Sequence, residues 1–128
     1  MNQRTKIDAF LAGGPHAVVG ASRDRTKIGN RVLQAYLLAG RPVFPVNPLA
    51  GEIEGLTAYP DLAALPAAIH GLSVVTPPQI SEAVVEQAGR LGVKHIWFQP
   101  GAESEHALQC AQELGMNVIS GGPCILVV

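Results

Sequence analysis

A single α/β domain built on a mainly parallel, doubly wound sheet is the fold this sequence predicts. Three observations carry that expectation. Short apolar runs alternate with amphipathic segments along the whole chain. The runs are continuously apolar rather than alternating, as strands covered on both faces must be. The length, 128 residues, suits one domain, residues 1–128, with about two-thirds of its surface buried on folding.

The strands come in order as Ala17-Val18-Val19-Gly20, Val43-Phe44-Pro45-Val46, Leu72-Ser73-Val74-Val75, His95-Ile96-Trp97-Phe98 and Asn117-Val118-Ile119-Ser120. A helix over Gln3–Leu11 precedes the first. The second helix starts at Asn30, read as its N-cap; Val32, Leu33, Tyr36 and Leu37 form its stripe and Gly40 its end. From Ile80, Ala83, Val84, Ala88 and Leu91 recur at helical spacing up to Gly92. From Ser104, Ala107, Leu108, Ala111 and Leu114 do the same up to Gly115. Residues 51–66 are less regular: a short edge strand at Leu56-Thr57-Ala58, then a turn or two of helix after Asp61. Strand–helix alternation at this spacing implies right-handed crossovers, hence a Rossmann-like sheet.

Composition narrows the function classes. Hydrophobic residues make up 48% and charged residues 15%, against about 25% charged in an average globular protein. Nine basic and ten acidic residues leave a net charge of −1, so no global field draws the chain to nucleic acid or membrane. No run approaches the roughly 18 apolar residues of a bilayer span. Residues 1–6 are polar and lead into no secretory signal. Two cysteines, Cys110 and Cys124, match neither a disulfide framework nor a metal spacing, which predicts reduced thiols and a cytoplasmic protein.

In such a sheet the ligand lies at the carboxyl ends of the strands, near the point where strand order reverses. Three loops are candidates. The first, Gly20 through Asn30, holds Arg23, Arg25 and Lys27, and Arg31 follows; these are four of the nine basic residues. Gly20 permits a tight turn, and Gly29 permits close approach at the helix start, where free amides and the dipole favour a phosphate. The second loop is Asn47-Pro48. The third is Thr76-Pro77-Pro78, whose prolines hold an extended apolar edge for an adenine face or an aliphatic arm, with Thr76 as a polar handle.

The dinucleotide and mononucleotide fingerprints are absent. Gly20 is followed by Ala21, Ser22 and Arg23 rather than by a Gly-x-Gly-x-x-Gly pattern, and no glycine precedes a Lys-Ser or Lys-Thr pair. The acid that an NAD ribose asks for at the end of the second strand is replaced by Asn47. That moves the reading from NAD to a phosphorylated adenosine ligand. The histidines His16, His70, His95 and His106 fall at no metal spacing; His16 and His95 read as strand-edge residues. Ser22 sits in no nucleophile elbow, since Asp24 stands where the second glycine belongs. Glu103 and Glu105 read as first-turn helix charges, and Trp97 and Cys110 as packing. Cys124 reads as structural, with a mixed disulfide to a ligand thiol as the alternative.

These segments, Val18-Val19-Gly20-Ala21-Ser22, the basic loop, Gly40-Arg41-Pro42-Val43-Phe44-Pro45-Val46-Asn47-Pro48, Tyr59-Pro60-Asp61-Leu62 and Ile96-Trp97-Phe98-Gln99-Pro100-Gly101-Ala102, resemble the stand-alone CoA-binding protein family over residues 17–120. The same fold forms the N-terminal domain of the succinyl-CoA synthetase α subunit and of related ADP-forming acyl-CoA synthetases. The resemblance implies binding of coenzyme A or an acyl-CoA. Gly20, Ala21, Ser22 and Arg23 would line the phosphates, Asn47 the ribose or adenine, and Val75, Thr76 and Pro77 the adenine wall. Charge adds Arg25 and Lys27 as candidates for the 3′-phosphate, and Gly29 and Asn30 frame the helix start.

The chain departs from the family pattern in two places. Gly29-Asn30-Arg31 stands where many relatives carry Arg-x-Ser, and Gly121-Gly122-Pro123-Cys124 where relatives carry Asp-Arg-Cys. Both departures bear on the pantetheine end of the site. The leading expectation is a ligand-binding protein without catalysis of its own, as a homo-oligomer or beside a partner subunit. Two alternatives are an NAD(P)-type redox protein or sensor, and the CoA-holding subunit of a multi-chain acyl-CoA ligase.

Overall fold

The computed structural model describes residues 2–122 and 124–127; Met1, Pro123 and Val128 lie outside the described residues. Five parallel strands form the main sheet: β1 (His16–Val19), β2 (Val43–Val46), β5 (Gly71–Val74), β6 (His95–Phe98) and β7 (Asn117–Ile119). Their spatial order is β2-β1-β5-β6-β7, so the chain reverses direction across the sheet between β1 and β5. The short strands β3 (Glu52–Ile53) and β4 (Leu56–Thr57) pair with each other. The edge strand expected at residues 56–58 is therefore half of a separate hairpin, tied to the main sheet by a Val46–Tyr59 bridge.

The helices α1 (Gln3–Leu11), α2 (Ile28–Leu38), α3 (Pro78–Arg90) and α4 (Glu105–Glu113) cover both faces. Alternate strand residues point to opposite layers. Ala17, Leu72, Val74, Ile96 and Phe98 pack with Val84, Val85, Ala88, Ala107 and Ala111 of α3 and α4. Val18, Trp97 and Ile119 pack with Ile7, Phe10, Val32, Leu33 and Tyr36 of α1 and α2. This bears out the doubly wound, mainly parallel α/β reading.

Several local expectations change. Asn30 is not the cap of α2: Lys27 is, with extended backbone, and Asn30 lies fully buried inside the first turn. On α3 the sheet-facing residues are Ser81, Val84, Val85 and Ala88, while Ala83 and Leu91 are exposed, because the buried face follows Pro78 rather than Ile80. Leu37 is also on the outside of its helix. Glu103 precedes the Ser104 cap instead of lying in the first turn, where Glu105 does lie. His16 does stand at the end of a strand, as the first residue of β1, but it is fully buried there. Cys110 packs against the α3–α4 core layer, and Cys124 is half-buried beyond the end of β7.

Candidate functional site

Where strand order reverses, β1 and β5 end side by side and their following loops part. The gap is a cleft of about 470 Å3 at the carboxyl edge of the sheet. Its floor is the ends of β1, β2 and β5, at Val19, Gly20, Val46 and Val75. Gly20 has φ of 94°, and a Cβ there would stand 2.9 Å from the Val75 side chain. Glycine is thus required for β1 to turn out between its neighbours. Gly29 meets the same point from the other side, since a Cβ on it would collide with the Gly20 carbonyl oxygen. The start of α2 is therefore seated directly on the end of β1.

The two helices that begin at the cleft differ from the others. Neither Lys27 at the start of α2 nor Pro77 at the start of α3 supplies a side-chain cap. Asn2, Asp61 and Ser104 do cap α1, the 3-10 turn at Leu62–Ala64, and α4. Uncapped amides and the positive ends of two dipoles thus face one cavity. Pro78 has no N–H to offer, so α2 contributes the larger share. Lys27 is the cation that lines the cleft, and Asp61 the anion.

Of the residues named from sequence, Gly20, Ala21, Ser22, Lys27, Gly29, Asn47, Val75, Thr76 and Pro77 line this one cleft. Arg23, Arg25 and Asn30 do not. Arg23 is exposed on the loop. Arg25 forms a bidentate pair with Glu54, Nε and Nη2 each 3.0 Å from a carboxylate oxygen. Asn30 donates to the Ser22 carbonyl at 2.8 Å and to Glu54 at 3.0 Å. The loop is further tied to itself. Ser22 Oγ accepts from Asp24 N, and Asp24 accepts from Thr26 N and Oγ1; those bonds from Thr26 hold the Asp24 carboxyl below its usual range.

Asn47 lies on the cleft wall with its carboxamide engaged at both ends. Nδ2 donates to the Ala21 carbonyl at 2.8 Å, and Oδ1 accepts from Leu49 N at 2.8 Å. It laces the loop after β2 to the loop after β1. Asn47→Asp turns a donor into a carboxylate against the Ala21 carbonyl. It is expected to lower unfolding stability by about 1–3 kcal/mol, read as a fall in urea midpoint at unchanged m-value. Thr76 is similarly placed, its hydroxyl 2.8 Å from the fully buried Ser81 hydroxyl.

Sequence reasoning missed the outer wall: Leu49, Pro60, Leu62, Ile80, Val84 and Gln87. Three large apolar side chains ring the mouth in the open, Ile28 at 42%, Leu49 at 95% and Ile80 at 53% exposure. A leucine directly after Asn47-Pro48, in a loop already proposed to meet the ligand, was the available signal. A second hollow, about 360 Å3 beside the end of α3, is lined by apolar and alanine side chains alone, among them Leu65, Ile69 and Leu91. It presents no charged or polar side chain to a ligand.

The profile of the CoA binding domain family matches residues 16–128. The chain belongs to the CoA-binding domain family. This CoA-binding domain is 27% identical over 132 residues to the α subunit of ADP-forming acetate–CoA ligase II of Pyrococcus furiosus, covering 93% of this chain and 28% of the subunit. Among solved structures, a conserved hypothetical protein from Pyrococcus furiosus is 40% identical with a TM-score of 0.83, covering 88% of this chain and 96% of that one. The apo form of the dinucleotide-forming acetyl-coenzyme A synthetase 1 of Ca. Korarchaeum cryptofilum is 33% identical with a TM-score of 0.71. There the match covers 80% of this chain and 25% of the synthetase. The CoA-binding domain thus spans about a quarter of each of these two longer proteins. The helix α1 precedes the residues that the family profile matches. Among the described residues, no helix is long and apolar enough to cross a membrane.

Proposed function

We propose that this domain binds coenzyme A or an acyl-CoA in the cleft between the β1 and β5 loops, and that it performs no chemistry of its own. The observation that carries the reading is the meeting of an uncapped α2 start, Lys27 and an apolar slot in one cleft of a CoA-binding domain. The volume, about 470 Å3, falls in the range of small-molecule sites, about 300–1,000 Å3. In this reading Gly20, Ala21 and Ser22 and the α2 amides at Gly29 receive the phosphates. Lys27, with Arg23 on the open side, supplies positive charge. Val75, Thr76 and Pro77 wall the adenine, and Asn47 holds the loop beside the ribose. The exposed Ile28, Leu49 and Ile80 give the aliphatic arm a surface at the mouth.

Calorimetric titration with CoA, acetyl-CoA, 3′-dephospho-CoA, ADP and NAD at fixed salt tests this. CoA is expected to bind most tightly and Lys27→Glu to weaken it by about tenfold or more, since charge-assisted phosphate contacts are the strong ones. Binding of NAD without CoA overturns the reading. A second reading has the domain as the CoA-holding part of a multi-chain acyl-CoA ligase. It is favoured by the quarter-length match to an acetate–CoA ligase subunit. Co-purification with a nucleotide-binding chain, giving acyl-CoA formation that neither component shows alone, would decide for it.

A further inference from the structure

The hairpin outside the main sheet is hydrogen-bonded to the candidate phosphate loop through Glu54. Glu54, at the β3–β4 turn, accepts two hydrogen bonds from Arg25 and one from Asn30. Its side chain is 15% exposed, while that of Arg25 is 75% exposed. The partners are 29 and 24 residues away in sequence. Asn30 passes the connection on, because the same Nδ2 donates to Ser22 O and its Oδ1 accepts from Gln34. A chain of bonds therefore runs from the hairpin through Glu54 to both ends of the 22–30 loop.

Two features mark this as more than surface pairing. Glu54 has φ of 49°, a left-handed backbone that glycine and asparagine adopt readily and glutamate does not. A strained residue is kept at the turn where its carboxylate is needed. The carboxyl is also held below its ordinary range, by the Arg25 bonds first and then by Asn30. It stays an anion wherever the cleft would meet a phosphate ligand. Arg25 could reach a ligand phosphate only by leaving Glu54, whose carboxylate would then keep the Asn30 amide alone and no cation. Lys27, by contrast, already lines the cleft.

We propose that Glu54 is a positioning residue of the cleft: clasped by Arg25 and Asn30, it sets the β1–α2 loop in its ligand-receiving shape and withdraws Arg25 from phosphate recognition. This rests on the CoA reading and deepens it, since discrimination of the 3′-phosphate then falls to Lys27 and Arg23.

Charge and positioning predict different signs. By charge alone, Glu54→Gln removes an anion near the site and tightens every anionic ligand, while Arg25→Gln loosens them. As a clamp, both substitutions weaken binding. Dissociation constants for CoA, 3′-dephospho-CoA and ADP are measured for Glu54→Gln, Arg25→Gln, the double variant and Glu54→Gly. The last relieves the left-handed turn, so a loss of affinity in it does not come from a strained or unfolded hairpin.

Each single variant is expected to weaken all three ligands by about the same five- to tenfold. The double variant is expected to be no weaker than either single. The CoA to 3′-dephospho-CoA ratio stays unchanged. Tighter binding by Glu54→Gln, or a fall in that ratio confined to Arg25→Gln, overturns the proposal. Hydrogen exchange of the ligand-free amides at residues 22–29 is read alongside and is expected to quicken in all four variants. If the unaltered protein binds none of the ligands, the CoA reading fails, and the exchange result still judges the clamp: unchanged rates in Glu54→Gln and Arg25→Gln sink it.

Discussion

Gly29→Ala is expected to destabilise the fold and to abolish most ligand affinity, the reverse of what that substitution does in an ordinary helix. Inside an exposed helix, alanine is better than glycine by about 1 kcal/mol. Here the added methyl would collide with the Gly20 carbonyl oxygen. It would also stand 3.0 Å from the Gly20 carbonyl carbon and 3.3 Å from Ala21 Cα. All three are backbone atoms, so no side chain can swing aside, and the first turn of α2 must lift off the end of β1. Overpacking of this kind costs about 1–3 kcal/mol. The amides at the helix start and Lys27 move with the turn, so CoA affinity should fall by about tenfold for each 1.4 kcal/mol of misplaced interaction. Gly51→Ala is the control, because a Cβ there meets nothing within 4 Å and its backbone is not left-handed. Urea unfolding and calorimetry on both variants check the pair. Equal stability in the two would remove the close-packing argument.

The layout of this fold was legible because it is written locally. Apolar runs ending in Gly20, Asn47 and Thr76 located the three loops, and the rule that ligands sit where strand order reverses brought them to one edge. What sequence could not supply is pairing across long separations. Asn30 looks like a cap because asparagine before a helical stripe usually is one. Its amide is instead taken by Ser22 and by Glu54, 24 residues away, and the helix begins three residues earlier than the cap reading would have it. Arg25 looks like a phosphate ligand for the same reason, until the hairpin brings Glu54 to it. The histidines show the effect most plainly. His16, His70 and His95 have no common spacing, yet the registers His16↔Gly71 and Gly71↔His95 put β1, β5 and β6 abreast. His70, one residue before β5, falls between the other two. Composition and periodicity carry no trace of that, because it depends on strand order.

Two of these rings, His16 and His95, predict a stability that falls on the acid side of neutrality. His16 is fully buried, and its ring centroid lies 5.7 Å from that of His70, which stacks on His95 at 4.3 Å. His16 Nε2 bonds the Phe10 carbonyl at 2.8 Å, which fixes the proton there in the neutral ring and leaves Nδ1 buried without a partner. A second proton would place an unpaired N–H and a charge in the interior. Burial is the main cause holding the His16 pKa below its ordinary value, with His70, Arg41 and His95 adding repulsion and the Phe10 carbonyl opposing. His95 is lowered as well, by burial first and then by His70. Its Nδ1 faces the Asn117 amide nitrogen at 3.0 Å and so accepts a bond that protonation would destroy.

The unfolded chain therefore binds more protons than the folded one below the ordinary histidine range. Stability is full above about pH 6.5 and is lost as pH falls through the lowered values. Between about pH 7.5 and 5 the urea midpoint should fall, because the unfolded chain takes up protons that the folded chain refuses. Helix α1 should loosen first. His16 and His70 bond its Phe10 and Ala9 carbonyls, Arg41 bonds Leu11, and Asn117 joins His95 to Lys6 O. Trp97, buried edge-on to Phe10 at 5.4 Å, is the only tryptophan, so its fluorescence reports the docking of α1. His16→Gln should flatten the pH dependence even where it lowers stability overall. A wild-type urea midpoint that stays constant from pH 7.5 to 5, or a slope that survives His16→Gln undiminished, would show that these rings carry their extra protons without cost.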